Sequence, residues 1–306
     1  MKRNLLLFAI AAICAAFPVA AQEAKTYPAP SEIVAVARAD EWVTIAPSDL
    51  LVMDLAPDSK GNPRRVVIQL MPAPFSQGWV GNIRKLAAAR WWDGTSINRV
   101  QDNYVVQWGD ATEKKALPQG LAAMDATDYV TPDWPTKDWI FARADGRPDA
   151  YAAAHGFYIG WPLAQGREGL WPVHCYGMVG VGRNLSPDTG TGAELYTVIG
   201  HAPRHLDRNI AVVGRVIDGI EHMSSLPRGT GALGFYEKEN ERVPILYARL
   251  GNEAKDVPVF EHLSTDSASF AAYADARANR RDPFFNVPAG GADICNIPVP
   301  IRRKAK

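Results

Sequence analysis

The sequence carries no excess of charge of either sign, since 33 basic and 33 acidic side chains balance over 306 residues and the pI is near 7. Proteins that hold the phosphate backbone of nucleic acid normally present a basic surface, so this balance argues against a nucleic-acid partner. Hydrophobic residues make up 47% of the chain, an ordinary value for a globular protein rather than a disordered or fibrous one. At roughly 150 residues per domain, the length allows one large or two modest domains.

Long apolar runs are also scarce, and none reaches the roughly eighteen residues that a membrane-spanning helix needs. Near the N-terminus, residues 5–17 are uncharged and mostly apolar, and they follow Lys2 and Arg3. This pattern is typical of a secretory signal peptide, with cleavage predicted after Ala21. We therefore expect an exported protein, periplasmic or secreted, with no membrane span after signal cleavage.

Cysteine is rare as well, with three in the whole chain. Cys14 lies inside the predicted signal peptide, where the bulky Ile13 before it argues against a lipoprotein anchor. Cys175 and Cys295 remain, and two cysteines in an oxidising compartment often pair. Closing a loop of this length contributes about 4 to 5 kcal/mol in the chain-entropy model. The sequence favours a disulfide but leaves free thiols open, because it does not show whether the two Cα atoms approach each other.

Short aliphatic and β-branched runs predict a protein with many strands and few helices. The runs at 50–55 and 66–70 flank a turn-rich segment and predict a β-hairpin. Apolar residues recur at helical spacing between Ser76 and Arg90, which predicts an amphipathic helix after the hairpin. Further strands are predicted over 100–108, 193–199, 210–216 and 243–250.

The remaining regions suggest additions to a central domain over 48–250, behind a proline-containing lead at 22–47. An ordered insertion is predicted at about 111–175, where no period of either kind is sustained. A C-terminal extension over 251–306 holds one predicted helix, 267–281, with Asp266 as its N-cap and an extended tail behind it. Four tryptophans of the insertion are interpreted as packing anchors rather than a ligand surface: Trp134, Trp139, Trp161 and Trp171.

One glycine-rich stretch matches the dinucleotide-binding fingerprint letter for letter, namely GTGALG at 229–234. That fingerprint works only between a strand and a helix. Here a predicted helix end precedes it and no amphipathic helix follows. The stretch is therefore interpreted as a glycine-rich loop.

Histidines raise the possibility of a zinc site, because His201 and His205 have i, i+4 spacing and His174 adjoins Cys175. Pro203 interrupts the first pair, and no nearby carboxylate completes a ligand set. Surface or hydrogen-bonded histidines are favoured. The chain has no G-x-S-x-G motif for serine hydrolysis, so a hydrolase or metalloenzyme ranks last among the possible functions.

The most informative stretch contains WDGTSINRV at 92–100 and YVVQWGD at 104–110, after the predicted hairpin and helix. It resembles the cyclophilin family of peptidyl-prolyl isomerases, with Arg99, Gln107, Gly109 and Asp110 in register. Five shorter stretches resemble further elements of the family: GMVGVGRN at 177–184, PDTG at 187–190, ELY at 194–196, LD at 206–207 and VGRV at 213–216. The likeness covers about 48–112 and 176–250.

This resemblance implies a mainly β fold, a closed eight-stranded β-barrel with two capping helices. It implies isomerisation of X-Pro bonds, here in proline-containing segments of exported proteins, without metal or cofactor. The barrier to rotation is about 18 to 20 kcal/mol, so a catalyst must bind the twisted amide better than either planar form. The resemblance makes Arg99 the donor to the rotating imide and Gln107 a second catalytic residue. A strand-end salt bridge is the alternative reading of Arg99.

The resemblance also implies a substrate-binding surface. The proline pocket is carried over as Tyr104, Val105, Tyr196 and Leu206, for which core packing is the alternative interpretation. Asn184 matches an asparagine whose backbone holds the peptide extended. Arg183, Glu194 and His205 are expected to border the bound peptide.

Several positions depart from the family pattern. They are Asn98 for histidine, Trp108 for glycine, Arg183 for a small residue, Glu194 for glutamine, His205 for tryptophan and Ile210 for histidine. Charged Arg183 and Glu194 are expected either to change substrate preference or to pair with each other. The departures predict weak binding of cyclosporin-like ligands and reduced turnover. They also favour, as a second hypothesis, a catalytically weak or inactive peptide-binding, chaperone or scaffold module.

Overall fold

The computed structural model describes residues 27–132 and 149–305 of the chain. The predicted signal peptide, 1–21, lies outside the described residues, as do Trp134 and Trp139. Across the two described ranges, no helix has both the length and the apolar character that crossing a bilayer requires.

Strands dominate the described residues. They are β1 (Trp42–Thr44), β2 (Leu50–Leu55), β3 (Arg64–Leu70), β4 (Ser96–Val100), β5 (Val105–Gly109), β6 (Ala154–Tyr158), β7 (Trp161–Gly166), β8 (Gly169–Pro172), β9 (Met178–Val181), β10 (Leu195–Val198), β11 (Val212–Asp218), β12 (Val243–Leu250), β13 (Phe260–Leu263) and β14 (Ile301–Arg303). Eight of them form a closed barrel in the order β10-β5-β4-β12-β2-β3-β11-β9, and β9 pairs back onto β10.

The predicted hairpin is confirmed as β2 and β3, which pair antiparallel along their length. Alternate side chains of these strands point to opposite faces. Leu51 and Ile68 face the main core, whereas Leu50 and Val52 pack on the other face against Phe260 of β13. A strand covered on both faces reads as a continuous apolar run, which explains its sequence.

The single strand predicted over 100–108 is wrong, because the chain reverses direction inside that stretch. β4 ends at Val100 and β5 begins at Val105, and Asn103 in the turn between them has a φ of 50°. Asparagine tolerates this left-handed backbone better than most residues. The reversal pairs β4 with β5 and places Arg99 opposite Gln107.

Two helices pack against the barrel strands. The first, α2 (Gln77–Ala88), confirms the helix predicted between 76 and 90 and buries Trp79, Ile83 and Leu86 in the main core. The second, α3 (Glu221–Ser224), is a single turn. The predicted fold class, a mainly β protein built on a closed eight-stranded barrel, is confirmed.

The predicted insertion contains a small antiparallel sheet in the order β6-β7-β8. Trp161 and Trp171 are each 1% exposed and belong to the main core, as the packing-anchor interpretation predicted. The strands are four to six residues long and contain glycine and proline, so no alternation is sustained in the sequence.

The C-terminal extension returns to the N-terminal lead, because β13 pairs with both β1 and β14. A short helix, α1 (Pro30–Ala35), lies in that lead, and α4 (Ala268–Ala278) confirms the helix predicted at the C-terminal end. The predicted cap at Asp266 is wrong. The hydroxyl of Ser267 accepts a 3.0 Å hydrogen bond from the Phe270 N–H, since Ser267 directly precedes the first helical turn.

Candidate active site

A cleft of about 690 Å³ opens beside β4, β5 and β10, between the 182–194 and 231–236 loops. Nine of the ten residues predicted for the substrate site line it: Arg99, Tyr104, Val105, Gln107, Arg183, Asn184, Glu194, Tyr196 and Leu206. The tenth, His205, is exposed and stacks on Tyr104 at its edge, with ring centroids 6.5 Å apart. Folding therefore brings together residues that the sequence separates by more than a hundred positions.

Arg99 lies on β4 with its side chain directed into the cleft. Its Nη1 donates a 3.1 Å hydrogen bond to Oε1 of Gln107, and its Nη2 donates to Gln101. The guanidinium is partly buried, and burial lowers the pKa of Arg99. Because water is partly excluded there, the cation interacts more strongly with neighbouring dipoles than it would at the surface.

The glycine-rich loop at 229–234 contributes to the site, which the sequence analysis missed. Nε of Arg99 donates a 2.7 Å hydrogen bond to the Leu233 carbonyl oxygen, and the guanidinium lies 5.3 Å from the centre of the Phe235 ring. Gly234, at a φ of +80°, packs its Cα against the backbone of Gln101, so a side chain there would collide. The only sign of this contact in the sequence is the high glycine content of the loop, because a close approach of two backbones requires glycine.

An apolar pocket lies beside the guanidinium. Val105, Tyr196 and Val198 form a buried cluster against which Tyr104 and two further side chains, Leu206 and Ile210, pack. The guanidinium carbon of Arg99 is 5.8 Å from the centre of the Tyr104 ring. The arrangement places a cationic donor at the margin of a surface suited to a proline ring.

The Glu194 carboxyl lies against Gly109, where any side chain would collide with it. Burial raises the pKa of Glu194 to about 7. Hydrogen bonds from the side chains of Gln107 and Asn98 and from the Asp110 backbone favour the carboxylate, and the negative charge of Asp110 opposes it. The group therefore changes charge near neutral pH, next to the amide that holds Arg99.

Arg183 contacts backbone rather than Glu194. Its Nε donates to the Asn209 carbonyl at 3.0 Å and its Nη1 to the Asn184 carbonyl at 2.7 Å. Among the described residues, the side-chain hydrogen bonds of Arg183 go to these backbone carbonyls, and none reaches Glu194. The Asn184 N–H donates to Asp188, so a bound peptide must share or displace these contacts.

The other departures from the family pattern divide between core and rim. Trp108 is fully buried in the main core and does not line the cleft, because its side chain points to the inner face of β5. Ile210 lines the cleft and extends its apolar wall. Among the described residues, no three His, Cys, Asp or Glu side chains are grouped to hold a metal ion, and Cys175 is bonded to Cys295.

Two comparisons with known proteins agree with this geometry. A sequence model described as cyclophilin type peptidyl-prolyl cis-trans isomerase matches residues 59–249. The crystal structure of the cyclophilin AquaCyp293 from Hirschia baltica is similar in fold, with a TM-score of 0.66 and 22% identity over 87% of this chain and 95% of that one. No curated protein matches the sequence.

Proposed function

The chain belongs to the cyclophilin-type peptidyl-prolyl cis-trans isomerase family, and we propose that it isomerises X-Pro bonds in exported proteins. The observation that carries the proposal is the placement of Arg99. Its guanidinium lies between Gln107 and the ring of Tyr104, at the margin of the apolar pocket that contains Tyr196.

Prolyl isomerisation requires only that the protein bind the twisted amide more tightly than either planar form. Rotation about the prolyl bond breaks amide resonance, at a cost of about 18 to 20 kcal/mol. Once resonance is lost, the proline nitrogen regains a lone pair that can accept a hydrogen bond. A pocket that holds the ring while Arg99 donates to the twisted imide lowers the barrier without a covalent intermediate. Arginine suits this role because its charge and its donors persist at every physiological pH.

The site also favours a distinct substrate preference. Glu194 places an ionisable carboxyl beside Gln107, and Arg183 places a cation at the other end of the same 182–194 loop. Residues of the substrate flanking the proline meet these charges. We propose that basic side chains near the prolyl bond are preferred when Glu194 is ionised.

Export is supported by two independent features. The basic and apolar N-terminal pattern is typical of a signal peptide. The bond between Cys175 and Cys295, whose Cα atoms are 5.1 Å apart, suits an oxidising compartment outside the cytosol. Proline-containing segments of exported proteins are the substrates that this location would supply.

Prolyl isomerisation of short X-Pro peptides by residues 22–306 tests the proposal, with X varied to include Lys and Glu. Arg99→Ala should lower kcat/KM by about a hundredfold, the effect of removing one donor that stabilises a transition state. Arg38→Ala is the matched control, because Arg38 is an exposed arginine of the lead segment that pairs with Asp40. Absence of acceleration by the folded wild-type protein would refute the isomerase.

A peptide-binding module without turnover is the second candidate. It is favoured by the engagement of Arg99 with Leu233, Gln101 and Gln107, which a substrate must partly displace. Peptide titration separates the two functions. Binding without acceleration would assign the module, and acceleration that depends on Arg99 would assign the isomerase.

A further inference from the structure

We propose that His174 is a positioning residue for the proline pocket, through which the insertion and the C-terminal extension support the reaction site. The inference rests on the proposed function and deepens it. His174 follows β8 at the end of the insertion and is fully buried behind the pocket.

A chain of hydrogen bonds runs from a buried carboxylate to the tyrosine whose ring forms the floor of the proline pocket. Nδ1 of His174 lies 2.9 Å from Oδ1 of Asp207, and Nε2 lies 2.9 Å from the hydroxyl of Tyr196. The same Asp207 oxygen accepts the backbone N–H of His174 at 3.0 Å. The two rings are nearly parallel, with an angle of 11° between their planes. The imidazole is therefore held at both nitrogens.

The partners determine how the protons are placed. Nδ1 and the backbone N–H of His174 face the same Asp207 oxygen, which accepts from both, so Nε2 is left to the Tyr196 hydroxyl. The hydroxyl of Tyr196 then donates to Nε2. Its polar end is directed away from the cleft, and the face of its ring is left to the proline pocket. A polar residue thereby contributes to an apolar floor.

The fit around Tyr196 leaves little freedom to the ring. Gly180 on the neighbouring strand β9 packs directly beneath the phenol, and a side chain at that position would collide with it. With Gly180 on one side and His174 at the hydroxyl, loss of the hydrogen bond leaves the phenol oxygen without a hydrogen-bond partner within residues 27–132 and 149–305. The ring could then shift within the pocket.

The insertion and the C-terminal extension both contact this chain of hydrogen bonds. Arg204, 3% exposed, donates to Asp207 at 2.7 Å and to Asp149 of the insertion at 2.9 Å, and it lies 3.6 Å from Asp293 of the extension. The disulfide joins Cys175, which directly follows His174, to Cys295, whose backbone N–H donates a 2.8 Å hydrogen bond to Asp293. Removing one member of such a buried ionic group leaves an uncompensated charge, so these contacts act together.

The same buried network also positions one side wall of the pocket. Leu206, which lines the cleft, lies between Arg204 and Asp207 in the chain, and both flanking side chains are tied to the buried network. His174 thus supports the floor through Tyr196 and the wall through Asp207. It acts on the reaction only through these residues and does not touch the cleft itself.

A double-mutant cycle tests this role, with kcat/KM and KM measured on an X-Pro peptide and stability followed by urea unfolding. His174→Leu and Tyr196→Phe should each lower kcat/KM by about fivefold, the effect expected from one hydrogen bond. The double variant should be no worse than His174→Leu alone, because that substitution already removes the contact that Tyr196→Phe removes. His174→Gln should recover most of the activity, because its amide can donate to Asp207 and accept from Tyr196. His262→Leu, at a buried histidine of β13 outside the network, should leave kcat/KM unchanged.

Additive losses in the double variant, or full activity of a folded His174→Leu protein, would overturn the inference and leave the isomerase intact. If His174→Leu does not fold, the cycle is run with His174→Gln, whose residual effect should vanish when Tyr196→Phe is also present. If the wild type does not isomerise, the proposed function fails separately. The Kd of the peptide is then measured for the same four proteins. Non-additive effects of the two substitutions on the Kd support the positioning role, and additive effects refute it.

Discussion

Arg99 and Gln107 lie opposite each other on neighbouring barrel strands, and Nη1 of Arg99 donates a 3.1 Å hydrogen bond to Oε1 of Gln107. The other end of the Gln107 amide bonds to Glu194. When Glu194 is ionised it can only accept, so it then favours the amide orientation that directs the Gln107 oxygen to the guanidinium. Three side chains thereby form one ordered chain along the cleft.

Gln107→Leu should therefore lower kcat/KM for X-Pro peptides by about fivefold to tenfold, because it frees Arg99 and removes one of the amide donors of the Glu194 carboxyl. Gln119→Leu, at an exposed glutamine of the insertion, is the matched control and should have no effect. Unchanged kinetics for Gln107→Leu would show that Arg99 needs no support from β5.

Glu194 should make substrate preference depend on pH. With its pKa raised by burial to about 7, the side chain is mostly neutral at pH 6 and mostly ionised at pH 8. The ratio of kcat/KM for a Lys-Pro peptide to that for a Glu-Pro peptide should rise about fivefold over this interval, since neither peptide side chain titrates there.

Glu194→Gln provides the control for that titration, because it keeps the shape and removes the charge. The ratio should then stay flat from pH 6 to pH 8. A ratio that still rises in Glu194→Gln would assign the pH dependence to another group and contradict the role given to Glu194.

The disulfide should contribute strongly to stability, since Cys175 and Cys295 are 120 residues apart in sequence. Cys175→Ser with Cys295→Ser should lower the free energy of unfolding by about 4 to 5 kcal/mol in the chain-entropy model. Urea unfolding measures the loss. Mass spectrometry after alkylation with and without reductant is the independent check, and two alkylated thiols without reductant would contradict the bond.

His205 should weaken the binding of cyclosporin-like macrocycles, because a smaller ring stacks on Tyr104 where many family members have tryptophan. His205→Trp should raise affinity by about tenfold, which corresponds to roughly 1.4 kcal/mol and to the upper range of one aromatic pair. Calorimetric titration measures it. Tight binding by the wild type would refute the prediction.

Local pattern was enough to predict one hairpin of the barrel and two helices, whereas the closed barrel followed from the resemblance to the family. The β2–β3 hairpin, α2 and the helix α4 follow from hydrophobic spacing and turn residues. Errors arose where a decision depended on a single residue. The turn through Asn103 divided one predicted strand into two, and the hydroxyl of Ser267, rather than Asp266, caps α4.

The residues of the site likewise divide into those that the sequence predicted and those that it did not. The placement of Arg99, Gln107 and Tyr196 follows from motifs whose residues lie on paired strands, so their order in the chain already implies their neighbourhood. Leu233 and Phe235 carry no such signal, since their position over Arg99 depends on how a distant loop folds back.

By itself, the sequence determined the family, and the resemblance then implied the barrel and the central pair of the cleft, because the motif residues lie close together in the chain on strands that pair. Only the tertiary structure decided that Glu194 bonds to amides rather than to Arg183, and that His174 meets Tyr196 and Asp207 behind the pocket. Those contacts join segments far apart in the chain. Their energies depend on burial and on angles between groups, and neither quantity is written in the order of residues.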